Sequence, residues 1–454
     1  MNNLGIIGLG TMGAALARNF ASKSVAISVY NRTASKTEQF IAEFPNSHLY
    51  PFFELSAFVQ SIESPRKIIL MVNAGEAVDK TIELLLPLLD KDDVIIDCGN
   101  SNWKDTQRRQ IDSQLLDKGI YFVGCGVSGG EEGALNGPSI MPGGNEYIVS
   151  QILPLLEKVS AKDFAGQPCV TNVGLGASGH FVKMVHNGIE YALMQGIAEI
   201  YDILKANQKN NGEICEIFNY LNQDDLKSFL LDITVDIFQT KDTLDEGYLI
   251  DKISSLAGSK GTGKWTVEAS LELGVFTPSI CAAVMARIGS AKNEAFRNLK
   301  LKKIESNPYP EPEVFLNELK LATYGLFLSS YLQGLDLIDR ANKDFNWGID
   351  LSEVIRIWQG GCIIRSYLLE SLYKKWTEEL DFSNQIWALD FICSDIILKP
   401  LMVLHGSLDY FLTLSTNTAL PTNLIQAQRD YFGAHTYQRI DKEGTFTGGW
   451  DNKI

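Results

Sequence analysis

The feature that most constrains the fold is a glycine-rich turn near the start of the chain. The apolar run Leu4–Ile7 predicts a strand, and residues 14–20 predict a helix. Between them lies a Gly-x-Gly-x-x-Gly motif, formed by Gly8, Leu9, Gly10, Thr11, Met12 and Gly13. Such glycines allow a tight turn, close approach of a pyrophosphate and close packing of helix on strand. The helix N-terminus then faces the phosphates. The motif therefore predicts a dinucleotide site in a Rossmann-like, doubly wound α/β domain.

The second predicted strand indicates which dinucleotide is bound. Residues 25–30 are mostly apolar and lead directly into Asn31, Arg32 and Thr33. An NAD site usually places a carboxylate here to bind the ribose 2′-hydroxyl, whereas a guanidinium suits a 2′-phosphate. Arg32 also fits an ordinary surface arginine at the end of a strand. Because the glycine motif lies upstream, we predict NADP.

Three more short apolar runs, 67–72, 94–98 and 121–123, continue the alternation of strands and helices. Ligands of a doubly wound sheet bind beyond the carboxyl ends of its strands. The candidate cofactor residues at these ends are Val72, Asn73, Ala74 and Asn100. The glycine-rich segment 126–144 follows the last run. It either offers backbone N–H groups to an anion or forms a set of turns.

Helical periodicity replaces the strand signals after residue 180. Two pairs of segments resemble each other, 195–200 with 333–338 and 213–218 with 353–358. They suggest a duplicated helical half-domain, with chance similarity between apolar helices as the alternative. The predicted helices span 213–221, 224–239, 263–273, 278–299, 312–341, 350–372, 381–413 and 422–432.

The helical segment 180–204 carries its polar side chains on one stripe. At about 100° per residue, one face holds Lys183, His186, Asn187, Glu190 and Tyr191. Periodicity alone favours the solvated face of an amphipathic helix. Apolar residues flank the stripe, however, which favours a polar wall that lines a cleft.

Composition restricts the partners. A net charge of −15 over 454 residues argues against binding to nucleic acid or to an anionic membrane. The sequence has no run of about 18 apolar residues, so we expect no membrane-spanning helix. Seven scattered cysteines without a C-x-x-C pair fit reduced thiols in the cytoplasm. The spacing of the five histidines predicts no metal site.

Segment 258–266 resembles a nucleotide phosphate loop but lacks two of its essential features. The Walker pattern requires Ser or Thr where this chain has Trp265. A nucleotide phosphate loop also follows a strand, and no strand is predicted before this segment. We therefore expect no NTPase activity. Lys260, Thr262 and the flanking amides instead suit a phosphate group on a substrate.

The end of the chain adds two more polar candidates. Arg429 and His435 place a fixed cation and a titratable imidazole on either side of a glycine. The tail that follows, 437–454, is polar and glycine-rich and has no periodic apolar face. Such a tail would be disordered on its own. The alternative is that it packs on a partner subunit.

Over nearly its full length, the chain resembles the 6-phosphogluconate dehydrogenase family. The resemblance rests on GLGTMG (8–13), NRT (31–33), DCGNS (97–101), GVSGGEEGA (126–134), GPSIMPGG (137–144), HFVKMVHNGIEY (180–191), KGTGKWT (260–266) and LIQAQRDYFGAHTY (424–437). It implies conversion of 6-phospho-D-gluconate and NADP⁺ to D-ribulose 5-phosphate, CO₂ and NADPH in the pentose phosphate pathway.

The resemblance also implies a role for each matching residue. Lys183 would accept the proton of the C3 hydroxyl, and Glu190 would later protonate C1. The substrate carboxylate and hydroxyls would be bound by Asn100, Ser128, Gly129, Gly130, His186 and Asn187. The phosphate would be bound by Tyr191, Lys260, Thr262 and Arg287, together with Arg429 and His435 from the second subunit of a homodimer.

We therefore expect three parts. These are an NADP-binding Rossmann-like domain at 1–178, an all-helical substrate and dimerisation domain at 179–436, and a tail at 437–454 that reaches the partner. One departure from the family is Asn73, where a lysine is usual, and the lost charge is expected to weaken NADP binding. The alternatives are a different β-hydroxyacid dehydrogenase with an unphosphorylated substrate and a non-catalytic NADP-binding protein.

Overall fold

The computed structural model describes residues 1–290, 312–377 and 421–450. The chain divides into two compact units. Unit 1 consists of Met1–Asn187, Glu268–Val275 and Leu335–Arg365. Unit 2 consists of the described residues of Gly188–Val267, Phe276–Gly334 and Ser366–Ile454. In the described ranges, no helix is both long and apolar enough to cross a membrane.

Unit 1 is built on one seven-stranded sheet. Its strands are β1 Leu4–Ile7, β2 Ile27–Tyr30, β3 Leu49–Phe52, β4 Lys67–Leu70, β5 Val94–Asp97, β6 Tyr121–Ser128 and β7 Ser139–Gly143. The order across the sheet is β3-β2-β1-β4-β5-β6-β7. All neighbours are parallel except β7, which runs antiparallel to β6. The predicted Rossmann-like class is confirmed, and the strand order reverses between β1 and β4.

The inner strands are apolar without alternation because both of their faces are buried. Ile69 and Ile96 pack into the core on one face of the sheet. Their neighbours Ile68 and Ile95 pack into the core on the other face. The helices associated with this sheet are α1 Thr11–Ser22, α2 Ala34–Glu43, α3 Leu55–Gln60, α4 Glu76–Leu85, α5 Trp103–Gln110, α6 Ser113–Lys118, α7 Gly130–Asn136 and α8 Glu146–Val159.

The glycine-rich segment 126–144 is more ordered than a set of turns. Strand β6 extends into this segment as far as Ser128, helix α7 follows, and β7 pairs antiparallel with β6. Strand β3, in contrast, was not predicted from the sequence. That strand contains Pro51 and lies at the edge of the sheet, where a missing N–H is tolerated.

The rest of the described chain is helical, as predicted. Its helices are α9 Ser178–Ala206, α10 Asn211–Leu221, α11 Phe229–Gln239, α12 Thr262–Leu273, α13 Pro278–Ser290, α14 Pro312–Phe345, α15 Leu351–Ile357, α16 Tyr367–Thr377 and α17 Thr422–Gly433. Short 3₁₀ turns lie at Leu86–Leu88, Asp224–Leu226 and Leu249–Lys252.

Two of the predicted helices are wrong in extent. Segment 224–239 is broken after its 3₁₀ turn, because the Ser228 side chain caps a new helix by accepting a hydrogen bond from the Leu231 amide. Segment 350–372 is broken at Gly360 and Gly361, of which Gly361 has a φ of +69°. The predicted helix 381–413 and the end of 278–299 lie outside the described residues. The internal duplication stays a prediction.

Candidate active site

The glycine motif lies at the reversal of strand order, between β1 and α1. Gly8 has a φ of +101°, and a Cβ atom there would lie 2.4 Å from the Met71 carbonyl oxygen. A Cβ atom on Gly13 would lie 2.0 Å from the Gly8 oxygen. On Gly10 it would meet nothing within 4 Å. Two glycines thus allow close packing, whereas the third leaves the N-terminus of α1 open, as a bound pyrophosphate requires.

Asn31 connects this motif to the end of β2. Its side-chain oxygen accepts a hydrogen bond from the Leu9 amide at 3.1 Å, and its Nδ2 donates to the Thr33 oxygen at 3.2 Å. Arg32 is exposed beside it. The exposed residues Asn73 and Asn100 follow β4 and β5. Strands β1, β2, β4 and β5 are parallel, so the predicted cofactor residues that follow them lie at the carboxyl ends of these strands, on the same side of the sheet.

Arg109 contacts one of the loops at these carboxyl ends, and it was not predicted as a site residue. It is 1% exposed on α5, and its Nη2 donates to the Gly75 oxygen at 3.0 Å. Its Nε donates to Asp79 at 2.8 Å, and this bond holds the pKa of Asp79 below its usual value. Arg109 therefore fixes the loop that contains Asn73. Its sequence neighbours are polar, so no pattern marked it.

Helix α9 is buried on nearly every side. Exposure of the polar stripe is 7% at Lys183, 0% at His186, 8% at Asn187 and 5% at Tyr191. Glu190 is half-buried. The solvated-face interpretation is therefore wrong. Buried polar side chains need partners, so this stripe has to be satisfied by the protein or by a ligand.

The Lys183 side chain belongs to a buried hydrogen-bonded chain in unit 1. Its Nζ donates to the Asn187 Oδ1 at 2.8 Å and lies 3.4 Å from the His186 Nδ1. The His186 Nδ1 is 3.2 Å from the same Asn187 oxygen, and its Nε2 is 3.0 Å from the Ser128 hydroxyl. When Nδ1 carries the ring proton it donates to Asn187, and Nε2 then accepts from Ser128.

The surroundings of His186 favour its neutral imidazole form. Burial lowers its pKa well below the ordinary value, and the charge of Lys183 lowers it further. A neutral imidazole between a lysine and a hydroxyl is able to exchange hydrogen-bond roles with substrate oxygens. The arrangement therefore suits proton transfer at a bound alcohol.

Close packing against β6 fixes the position of Lys183. A Cβ atom on Gly126 would lie 2.3 Å from the Lys183 Cβ.

We expect Gly126→Ala to displace the lysine and to reduce kcat by at least about tenfold. The free energy of unfolding should fall by about 1–3 kcal/mol, a typical cost of overpacking. Steady-state kinetics and urea titration measure both effects. The control is Gly212→Ala in α10, where a Cβ atom meets only Asn210 at 3.2 Å. Parental activity in Gly126→Ala would contradict this packing.

A second element that sequence reasoning missed supports Ser128. The Ile363 amide donates to the Ser128 hydroxyl at 3.4 Å, and the Ser139 amide donates to the Gly361 oxygen at 3.4 Å. Gly129 and Gly130 follow directly at the start of α7. The loop around Gly361 thus packs against the predicted substrate-binding glycines. The two glycines inside a predicted helix were its one signal.

Unit 2 contains a cluster of basic side chains, here called the cation cluster, formed by Lys260, Arg287, Arg429 and His435. Tyr191 of α9 lies against it. The Arg287 guanidinium lies 3.3 Å from the centre of the Tyr191 ring, and Arg287 is only 4% exposed. The Tyr191 hydroxyl is 3.0 Å from the Ser259 hydroxyl. Lys260 follows in the same loop, and Thr262 is the first residue of α12. The loop therefore places cations and helix N–H groups close together.

Arg429 and His435 complete the cluster. Arg429 is 8% exposed, and its Nη1 donates to the Gln426 Oε1 at 2.7 Å. The same oxygen accepts a hydrogen bond from the Gly258 amide at 3.2 Å. The resemblance implied that Arg429 and His435 reach the site of a second subunit. In this structure they lie beside the cations of the same chain, and their exchange between subunits stays a prediction.

The electrostatics of the cluster favour a bound anion. Burial lowers the pKa of Arg287, and burial together with Arg287 lowers the pKa of Arg429. Burial, Lys260 and Arg429 lower the pKa of His435 to about 3. Burial and Arg429 also lower the pKa of Lys260, although Glu190 opposes this. Crowded cations repel one another, so a phosphate dianion would relieve the repulsion.

Comparisons with known proteins agree with these features. Two family models match: the NAD binding domain of 6-phosphogluconate dehydrogenase over residues 3–174, and 6-phosphogluconate dehydrogenase, C-terminal domain, over residues 179–450. The NADP(+)-dependent, decarboxylating 6-phosphogluconate dehydrogenase of Bacillus subtilis is 43% identical over 470 residues, which covers 98% of each chain. The decarboxylating enzyme of Escherichia coli is 41% identical over 468 residues, again 98% of each.

A solved structure gives the same result. Plasmodium falciparum 6-phosphogluconate dehydrogenase, studied in its apo form, with NADP⁺ and with 6-phosphogluconate, matches with a TM-score of 0.79 and 38% identity. The match covers 99% of this chain and 100% of that one. The sequence motifs, the fold and these relatives lead to one conclusion: the chain belongs to the 6-phosphogluconate dehydrogenase family.

Proposed function

We propose that the chain catalyses oxidative decarboxylation of 6-phospho-D-gluconate to D-ribulose 5-phosphate and CO₂ with reduction of NADP⁺, in the oxidative branch of the pentose phosphate pathway. The observation that carries this proposal is the buried Lys183 with its partners His186 and Asn187 on α9. Membership of the family supports the choice of substrate.

Lys183 is the proposed general base. A base must be within hydrogen-bonding reach of the proton it accepts, and it must be neutral when it acts. Lys183 takes the proton of the C3 hydroxyl as the C3 hydride leaves, and bound NADP⁺ supplies the hydride acceptor. The product is a 3-keto acid, whose ketone accepts the electron pair released when CO₂ departs. His186 and Asn187 hold the reacting lysine and bind substrate oxygens, with Ser128, Gly129, Gly130 and Asn100 as further ligands.

Glu190 is the proposed proton donor to C1 of the enediol that decarboxylation leaves. It follows Lys183 by seven residues on one helix, which is about two turns, so both side chains leave α9 on the same side. The acid and the base can therefore serve one bound substrate. Glu190 has to be protonated when it acts, so Glu190→Gln should alter the pH–rate profile.

The cation cluster is the proposed phosphate site. Its ligands are Tyr191, Lys260, Thr262, Arg287, Arg429 and His435. Two buried guanidiniums beside a lysine and a helix N-terminus suit a phosphate dianion better than an unphosphorylated sugar acid. We also propose a cytoplasmic homodimer in which the segment with Arg429 and His435 is exchanged between subunits.

Mixing two inactive variants tests that exchange. Lys183→Met and Arg429→Met are each expected to be poorly active alone. If the segment is exchanged, a mixed dimer contains one intact site, because one chain supplies Lys183 and the other supplies Arg429. Unfolding and refolding the two together should then restore about a quarter of the parental activity. Each variant refolded alone is the control, and absence of recovery in a verified mixed dimer would show that each chain completes its own cluster.

A cofactor-reduction assay tests the function itself. We expect absorbance of reduced nicotinamide to grow with 6-phosphogluconate and NADP⁺, and far less with unphosphorylated gluconate. Faster reduction with an unphosphorylated hydroxyacid would indicate another β-hydroxyacid dehydrogenase. No reduction with NADP⁺ or NAD⁺ would indicate a non-catalytic binding protein.

A further inference from the structure

We propose that Asp430 is a positioning residue that folds the C-terminal segment 436–450 back onto the end of α17 and thereby fixes His435 within the cation cluster. The inference rests on the proposed phosphate site and assigns a role to a side chain that touches no cation of that site. Asp430 is 3% exposed and follows Arg429 directly on α17. It thus adjoins the site without belonging to it.

Four donors of the C-terminal segment converge on this one carboxylate. Oδ1 accepts hydrogen bonds from the Thr436 amide at 2.8 Å and the Thr447 hydroxyl at 2.8 Å. Oδ2 accepts from the Gly448 amide at 2.8 Å and the Trp450 indole N–H at 2.9 Å. Hydrogen bonds to an ionised acceptor are about twice as strong as neutral ones. Asp430 therefore gathers both ends of a fifteen-residue segment at one point.

The backbone around His435 needs such an anchor. Ala434 and Thr436, on either side of it, have φ values of +45° and +55°. Non-glycine residues in this left-handed region are strained, and they persist where neighbouring contacts hold them. The bond from the Thr436 amide to Asp430 closes the turn that contains His435. The imidazole is consequently held close to Gly433 and the helix end.

The far part of the segment has its own supports, so loss of Asp430 should not unfold it. Tyr437 and Phe446 exchange two backbone hydrogen bonds, at 2.8 and 2.9 Å. Arg439 is 7% exposed and donates to both oxygens of Asp242, at 2.7 and 2.6 Å. These contacts are separate from Asp430. Its replacement should therefore loosen the turn around His435 selectively.

The test is Asp430→Asn in the full chain, because the amide keeps one acceptor and turns an NH₂ group toward two donors. Thr447→Val is a milder variant that removes one donor and leaves the carboxylate. The matched control is Tyr431→Phe, which removes the hydrogen bond of the next residue to Asp236, at 2.6 Å, and keeps the aromatic ring that lies 5.9 Å from Trp450. Hydrogen exchange of 434–450, KM values, kcat and competitive inhibition by inorganic phosphate are measured for each.

In Asp430→Asn we expect faster amide exchange at Thr436 and Gly448, with at least about tenfold increases in KM for 6-phosphogluconate and in the inhibition constant of phosphate. kcat and KM for NADP⁺ should change less than about threefold, a division that general destabilisation would not produce. Thr447→Val should show the same pattern more weakly, and Tyr431→Phe should resemble the parent. Faster exchange without weaker phosphate binding would overturn the proposal, as would unchanged exchange. If the parent does not oxidise 6-phosphogluconate, the proposed function fails, and direct phosphate binding with exchange still decides the role of Asp430.

Discussion

Replacing Lys183 by methionine should lower kcat by about 10²–10⁴-fold, the usual contribution of a positioned general base. Methionine fills nearly the same buried volume but accepts no proton, so the fold and NADP⁺ affinity should be preserved. The decisive companion is Lys183→Arg. Arginine keeps the positive charge, yet it is not deprotonated in proteins. We therefore expect it to be as inactive as the methionine variant.

Three measurements check this prediction: kcat with 6-phosphogluconate, the dissociation constant of NADP⁺, and the midpoint of thermal unfolding. Lys158→Met on α8, a residue outside the candidate site, is the control for loss of one lysine. Activity in Lys183→Arg within about tenfold of the parent would show that the lysine contributes charge and no proton transfer. The proposed mechanism would then be wrong at its first step.

Replacing Arg287 by methionine should raise KM for 6-phosphogluconate by about 10–150-fold, since hydrogen bonds to charged groups contribute about 1.5–3 kcal/mol. Arg287 is buried and stacks on the Tyr191 ring, so its planar guanidinium is held in one orientation. Lysine keeps the charge but lacks the planar fork. Arg287→Lys should therefore also bind 6-phosphogluconate more weakly than the parent.

The control is Arg340→Met on α14, whose exposed guanidinium pairs with Asp344 at 3.1 Å. It should leave both KM values unchanged, because an exposed ion pair contributes little. The phosphate assignment also requires that Arg287→Met barely affects the already weak use of unphosphorylated gluconate. Equal losses for both substrates would mean that Arg287 supports the fold and does not bind phosphate.

Much of unit 1 follows from local sequence. Apolar runs such as Leu4–Ile7 predict inner strands because parallel strands are buried on both faces, and the glycine motif places the cofactor end of the sheet. The edge strand β3 was missed since Tyr50 is exposed and Pro51 breaks the usual strand pattern. The Gly360–Gly361 break was missed because the flanking residues continue a helical period.

The candidate site shows where local pattern stops being sufficient. Spacing alone put Lys183 and Glu190 on one face of α9, but it favoured water around them. The partners that bury the stripe are distant in sequence: Ser128 bonds His186, and the Trp358 ring lies 5.8 Å from the imidazole. Arg109 and Asp430 were not identified, because a charged residue is assigned to the surface until its buried acceptors or donors are seen.

The most direct test of the account is the ratio of CO₂ to NADPH formed from 6-phosphogluconate labelled with ¹³C at C1. Oxidation at C3 followed by loss of the carboxyl group predicts one labelled CO₂ for each NADPH, with ribulose 5-phosphate as the remaining product. NADPH formed without labelled CO₂ would contradict the account, because it would mean that the enzyme oxidises a hydroxyacid and stops at the keto acid.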